Sequence, residues 1–432
     1  MDAIIKGRCY WEATVIAKGV TAMVFRLDWV QRLSGSFHYR QYRRLFAGSL
    51  IAQMVFRMQD LVLAWQMLQM TGSPFWVGMV AFATGLPLLI LAPLTGTLAD
   101  RFCRQHILAA ALGATALSIF ALSWLTAVGA ALPWHIVLTA FLCGVGFILY
   151  APARLALLPS TVPGNWYHSA STVEYSSTRL VGFPAAVLAG FLIERAGVAI
   201  SLLVEVGLLL VGAVVFLQVN AGLPSGQRAG WRTFRFDAPM LEGFKYIRAD
   251  RPLMALAALG LFMVPIGMIY QKMMPVFAAE AFADGPSTLG WLLGLSSLGA
   301  ATAGLSLAAY GDRFGVGRAL LVASTVLSIG IIAFAFCRET LVALVMSLGM
   351  GLASGVYLTL SNVLFQSRPP DELRGRVAAF WSMIWGVLPF TTLVAGALAE
   401  RFGVVMVVAV SGGLCLTLTL CIALFSPHLR DL

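Results

Sequence analysis

The sequence predicts an all-α membrane protein of twelve transmembrane helices arranged as two six-helix bundles. Three observations predict it. Hydrophobic residues make up 59% of the 432-residue chain and charged residues 11%, with a mean hydropathy of +0.87. Soluble domains carry about 25% charged residues, so one soluble core is excluded. The apolar residues also form twelve runs, near 45–69, 75–98, 106–128, 134–157, 170–193, 198–220, 253–279, 288–310, 317–336, 341–366, 376–399 and 404–426. Each approaches the roughly 20 residues that a bilayer crossing demands. Finally, the chain repeats. Asp100-Arg101-Phe102 returns as Asp312-Arg313-Phe314, 212 residues later. Ala189-Gly190 through Glu194-Arg195 returns as Ala395-Gly396 through Glu400-Arg401, 206 residues later. Halves that repeat in the same order build two similar bundles about an axis along the membrane normal. Bundles so related rock around a central cavity, which points to transport.

Five segments follow from these runs: a cytoplasmic tail (1–41), a first bundle (42–220), a central cytoplasmic loop (221–252), a second bundle (253–426) and a short cytoplasmic tail (427–432). The first tail is basic and lacks the continuous apolar core of a signal peptide after Lys6 and Arg8. Trp29-Val30 and Leu33, beside Arg26 and Arg32, suit the inner leaflet. A disordered tail, or a start at Met23, stays open, as does whether residues 1–22 belong to the mature chain. In the central loop, Gly222, Pro224, Ser225 and Gly226 read as a linker. Leu241, Phe244 and Ile247, three apart with cations beside them, then predict a short helix on the membrane surface, ended by Pro252.

The net charge of +10 would suit a nucleic-acid partner, but its placement argues for a bilayer instead. Of 29 basic residues, 23 fall in the termini and even-numbered connections, against three (Arg195, Arg338, Arg401) in the odd-numbered ones. The positive-inside rule then puts both termini in the cytoplasm of an inner-membrane protein and favours an even number of spans. Six unpaired cysteines and five scattered histidines predict neither a disulfide framework nor a metal site. Without a Gly-x-x-x-x-Gly-Lys loop, no cofactor or direct ATP coupling is expected. No catalytic arrangement is present either, so an enzyme is not expected.

Charges inside the spans cost roughly 2.5–3.5 kcal/mol each on insertion scales and mark candidate coupling or cavity residues. They are Arg57 and Asp60 in span one, Glu174 and Arg179 in span five, Glu205 in span six and Lys272 in span seven. Arg57 and Asp60, three apart, are expected to neutralise each other. A contact between Arg179 and Glu205 is expected, as structural as it is functional, and Glu174 simply reaches water. Pro265 and Gly267 should break span seven, and broken helices line cavities. Trp65, Trp381 and Trp385 are candidate aromatic platforms or packing residues.

Several patches together resemble the major facilitator superfamily over about residues 42–426, in the branch of the enterobactin exporter and drug:proton antiporters. Gly96, Leu98, Asp100, Arg101 and Arg104 resemble its loop after span two, with Cys103 and Gln105 departing from the pattern. Gly311, Asp312, Arg313, Gly315 and Arg318 form the second copy. Leu68 to Pro74 and Pro370 to Val377 resemble two further branch patterns. Gly182, Pro184 and Gly190 resemble a loosened antiporter motif whose Gly-Pro pair is split by Phe183. The resemblance implies that Asp100 with Arg101 and Arg104, and Asp312 with Arg313 and Arg318, form two breakable cytoplasmic latches. An aspartate so placed accepts from the free N–H groups of a facing helix N-terminus and meets its positive dipole. It further implies a monomer that exchanges protons for a small molecule, a siderophore or drug-like compound, by alternating access. An importer of a nutrient or lysolipid with the same fold, and a non-transporting sensor or scaffold, are the alternatives.

Overall fold

The computed structural model describes residues 35–101, 103–219, 239–280, 282, 285–310 and 315–430, without the side chains of 92–101, 239–241, 305, 308–310, 371 and 427. Among them the chain is helical throughout, which bears out the all-α class. The first half gives α1 (Arg40–Thr71), α2 (Pro74–Arg101), α3 (Arg104–Ala127), α4 (Pro133–Leu157), α5 (Tyr167–Leu180) and α6 (Gly182–Leu217). A short α7 (Pro239–Ala249) precedes the second half. There follow α8 (Arg251–Met263), α9 (Ile269–Glu280), α10 (Pro286–Tyr310), α11 (Val316–Ala335), α12 (Thr340–Ser367), α13 (Asp371–Phe402) and α14 (Val404–Phe425).

Among the described residues, eight stretches are long and apolar enough to cross a membrane, fewer than the twelve runs read from the sequence. The difference has physical causes. Gly164–Leu217 counts as one stretch of 54 residues, although Gly197 turns the chain inside α6 with φ 83° and ψ 168°. L side chains rarely adopt that backbone, and Gly403, 206 residues later, makes the same turn before α14 with φ 82°. The expected seventh run is split into α8 and α9 by residues 264–268, around Pro265 and Gly267. α1 carries Arg57 and Asp60, and α10 is rich in Gly and Ser. Both dilute apolarity where the chain faces protein rather than lipid. One boundary also moves: α13 starts at Asp371 rather than near 376, so Arg374 and Arg376 stand in its opening turns.

Large apolar side chains point outward all round the molecule, among them Leu117 at 69%, Val345 at 65% and Phe425 at 84% exposure. A surface of that kind needs lipid around it. Inside, α1, α3 and α6 pack together and α2 lies along α4; in the second half α10 packs on α12 and α11 on α14. Two helix pairs make the most extensive contacts between the halves, α2 with α13 and α6 with α10. α7 rests on α13, where Arg376 pairs with Glu242.

Candidate functional site

A central cavity lies between the two halves in two connected lobes, of about 260 and 470 Å³. Both lobes are lined by Arg57, Asp60, Thr84, Lys272 and Trp385. Asp60 and Lys272 stand 212 residues apart, the offset of the Asp-Arg-Phe copies, so they occupy equivalent places on α1 and α9. Equivalent places near a pseudo-two-fold axis face each other. Lys272 Nζ lies 3.4 Å from Asp60 Oδ2, the two side chains 32% and 39% exposed to the cavity. The preceding residues, Gln59 and Gln271, are equivalent too, and each turns into its own half. Gln59 Nε2 donates to Cys143 Sγ at 3.1 Å and Gln271 Nε2 to Ser296 Oγ at 3.1 Å.

The Asp60–Lys272 pair corrects the expectation that Arg57 neutralises Asp60. Three residues on a helix diverge by about 60° around the axis, enough to leave Asp60 aimed across the cavity. Arg57 makes no direct ion pair among the described residues.

The expected Arg179–Glu205 contact does not form. The chain turns at Gly197, with Glu205 eight residues after the turn and Arg179 eighteen before it. At 1.5 Å per residue they lie about 12 and 27 Å from that end, too far apart in depth to touch. Arg179 instead donates to Tyr175 Oη at 3.1 Å, its guanidinium 5.6 Å from the ring centroid, and lines the larger lobe. Glu205 is fully buried, and neither carboxylate oxygen meets a hydrogen-bond partner among the described residues. Glu174 does not reach water. It is 3% exposed and receives a 2.5 Å hydrogen bond from Arg154, which α4 carries on its last turns.

Of the expected latch residues, the side chains of Asp100 and Arg101 and all of Gly311, Asp312 and Arg313 lie outside the described residues. Gly96 falls in a helical stretch whose side chains are not described. Arg104 donates to the Ala156 carbonyl at 2.6 Å, satisfying the open end of α4 rather than meeting α13. Arg318 is exposed on the first turn of α11.

Of the antiporter-like residues, Gly182 and Gly190 sit on the seam between α6 and α10, while Pro184 on α6 is exposed. A Cβ on Gly182 would lie 2.8 Å from Ser297 Oγ, and one on Gly190 would overlap the Pro286 carbonyl oxygen. Gly290 answers from α10, its own Cβ position 2.6 Å from the Ala186 carbonyl. At the end of this seam Glu194 accepts from the backbone N–H of Ser287, in the first turn of α10, at 3.2 Å. The α13–α2 seam is built the same way. Glu400 accepts from the backbone N–H of Phe75 at 3.2 Å and from the Ser73 hydroxyl. Gly396 faces Pro74 and Gly78, its Cβ position 2.7 Å from the Pro74 carbonyl. Four pairs match across the repeat: Glu194 and Glu400, Gly190 and Gly396 are 206 residues apart, Ser287 and Phe75, Gly290 and Gly78 are 212 apart.

A family model described as the Major Facilitator Superfamily matches residues 45–391, and again 266–430. The chain belongs to this superfamily. It is a membrane transporter rather than an enzyme, as the reading of the motifs had it. It is 24% identical over 414 residues to "Macrolide efflux protein A" of Streptococcus pyogenes, covering 91% of this chain and 96% of that protein. It is 23% identical over 398 residues to "Enterobactin exporter EntS" of Escherichia coli, covering 88% of this chain and 93% of that one. Among solved structures it resembles the nucleoside transporter NupG, with a TM-score of 0.71 and 13% identity over 90% of this chain and 99% of that one, a likeness of fold alone.

Sequence reasoning missed Glu194 and Glu400 as seam residues, and Arg154 as the partner of Glu174. For the two glutamates the signal was present: they hold equivalent places in the second repeat. Arg154 gave none, because it reads as one more loop cation.

Proposed function

We propose that this transporter exports a small, partly hydrophobic compound in exchange for protons, by alternating access across twelve membrane passes. Splitting the α5–α6 stretch at Gly197, joining α8 to α9 and adding α1 and α10 raises the eight apolar stretches to twelve. The basic-residue asymmetry supports both termini in the cytoplasm of an inner membrane. On that orientation the seams at Glu194 and Glu400 lie on the outer side, which supports reading the state as closed outward. Efflux by the relatives favours export. The proposed bundles are residues 42–220 and 253–426, working as a monomer, with Asp100 and Asp312 as latches on the inner side.

One observation carries the proton reading: Asp60 and Lys272 pair across the two halves inside the cavity, 3.4 Å apart. Protonating Asp60 removes the charge that holds Lys272 and loosens one bundle from the other. Rocking is thereby tied to proton binding. Proteoliposomes with an imposed pH difference test it. Asp60→Asn should abolish uphill movement yet permit downhill exchange of substrate. Asp60→Asn with Lys272→Gln controls for the lysine left unpaired. Full proton-driven accumulation by the single variant would remove Asp60 from the mechanism and move the search to Glu205 or Glu174.

A further inference from the structure

The walls of the larger lobe carry an unequal set of charges. Arg57, Arg179 and Lys272 are cationic, and Asp60 is the one carboxylate among the described lining residues. That carboxylate is already engaged by Lys272. Glu174 is taken by Arg154, and Glu205 is buried outside both lobes. Arg57 and Arg179 therefore face the same space with no ion-pair partner among the described residues.

We propose that the cavity is built for an organic anion with an aromatic body, rather than for the cationic compounds a single acidic cavity would select. This rests on the transport reading above and names the substrate class of the same cavity. Two guanidiniums on a low-dielectric wall are costly without a counter-charge, and a bound carboxylate, phenolate or sulfonate supplies it. Guanidinium geometry favours planar, two-oxygen groups over a point charge. Trp385, shared by both lobes, and Phe56 and Tyr175 provide flat apolar faces for the rest of the molecule. Trp385 stands 206 residues after Arg179, so one half offers the cation and the equivalent place in the other offers the ring. The two lobes, about 260 and 470 Å³, together suit a drug-sized ligand.

Two dyes that share a xanthene ring test the charge preference: 5-carboxyfluorescein, an anion, and rhodamine 123, a cation. Their binding to the purified full chain in uncharged detergent is read by fluorescence anisotropy. The anion should bind more tightly by about tenfold or more, the scale of one charge-assisted contact. Arg57→Gln and Arg179→Gln should each weaken it about tenfold, while Asp60→Asn should strengthen it. A misfolded variant cannot bind better, so the gain separates charge from damage. Tighter binding of rhodamine 123, no saturable binding of carboxyfluorescein, or indifference to both arginine substitutions would overturn the proposal. The transport reading fails separately. It falls if the parent chain in proteoliposomes moves no substrate under an imposed pH difference, whatever the dyes show, and it survives a reversed dye preference.

Discussion

The two seams and the cavity descend from the same duplication but have kept it to different degrees. At the seams the glutamate and close-glycine contacts occur twice. A glutamate meets the first turn of the opposite helix, and two glycines bring the backbones together, at matched offsets. In the cavity the matched positions hold unlike residues: Asp60 against Lys272, Arg179 against Trp385, Arg57 against Ile269. Packing two helices closely has one solution in small residues, so both copies retain it. A binding site on the axis is a single place seen from both halves. Two acids there would repel, whereas acid and base attract, so divergence is favoured at the centre and resisted at the rim.

The largest expected effect on stability comes from breaking the parallel between seams at its tightest point. Gly190→Leu and Gly396→Leu each force a side chain against backbone rather than against a flexible neighbour. Each should cost about 1–3 kcal/mol as overpacking and open its own seam. Hydrogen exchange at Ser287 should accelerate in the first variant and at Phe75 in the second. A strong response at one seam with none at the other would end the parallel.

A smaller effect is expected from the glutamates. Glu194→Gln and Glu400→Gln keep the side-chain size but remove a charge facing a helix N-terminus, worth about 0.3–1 kcal/mol at each. Melting of the purified protein should show similar losses for the two, and the double variant should show their sum, because the sites share no partners. A double variant far worse than that sum would mean that the seams open as one unit.

The smallest stability change belongs to the centre. Exchanging the pair, Asp60→Lys with Lys272→Asp, restores opposite charges and should leave stability within about 1 kcal/mol of the parent, as for other partly exposed pairs. Proton-driven transport should nonetheless stay lost. The acid would then sit on α9, away from Arg57 on α1. Recovery of transport would show the centre to be as symmetric as the rim.

The sequence alone determined the helical membrane class, the repeat and the break around Pro265 and Gly267. Each is written in composition, periodicity or backbone-restricting residues, which act locally. It also nominated the cavity charges, because an ion in an apolar run is conspicuous wherever the helix packs. Only the tertiary structure decided their partners. Arg57 and Asp60 are neighbours in the chain, but helix rotation sends Asp60 to Lys272. Arg179 and Glu205 lie on adjacent spans, but the turn at Gly197 fixes them at different depths. Glu174 finds Arg154 because α5 folds back on the turn at Leu158–Ser160 that follows α4, and Glu194 and Glu400 gain their roles from helices of the other half. Pairing depends on rotation and depth about each helix axis, and these are set by how the bundles pack, which no local run of residues encodes.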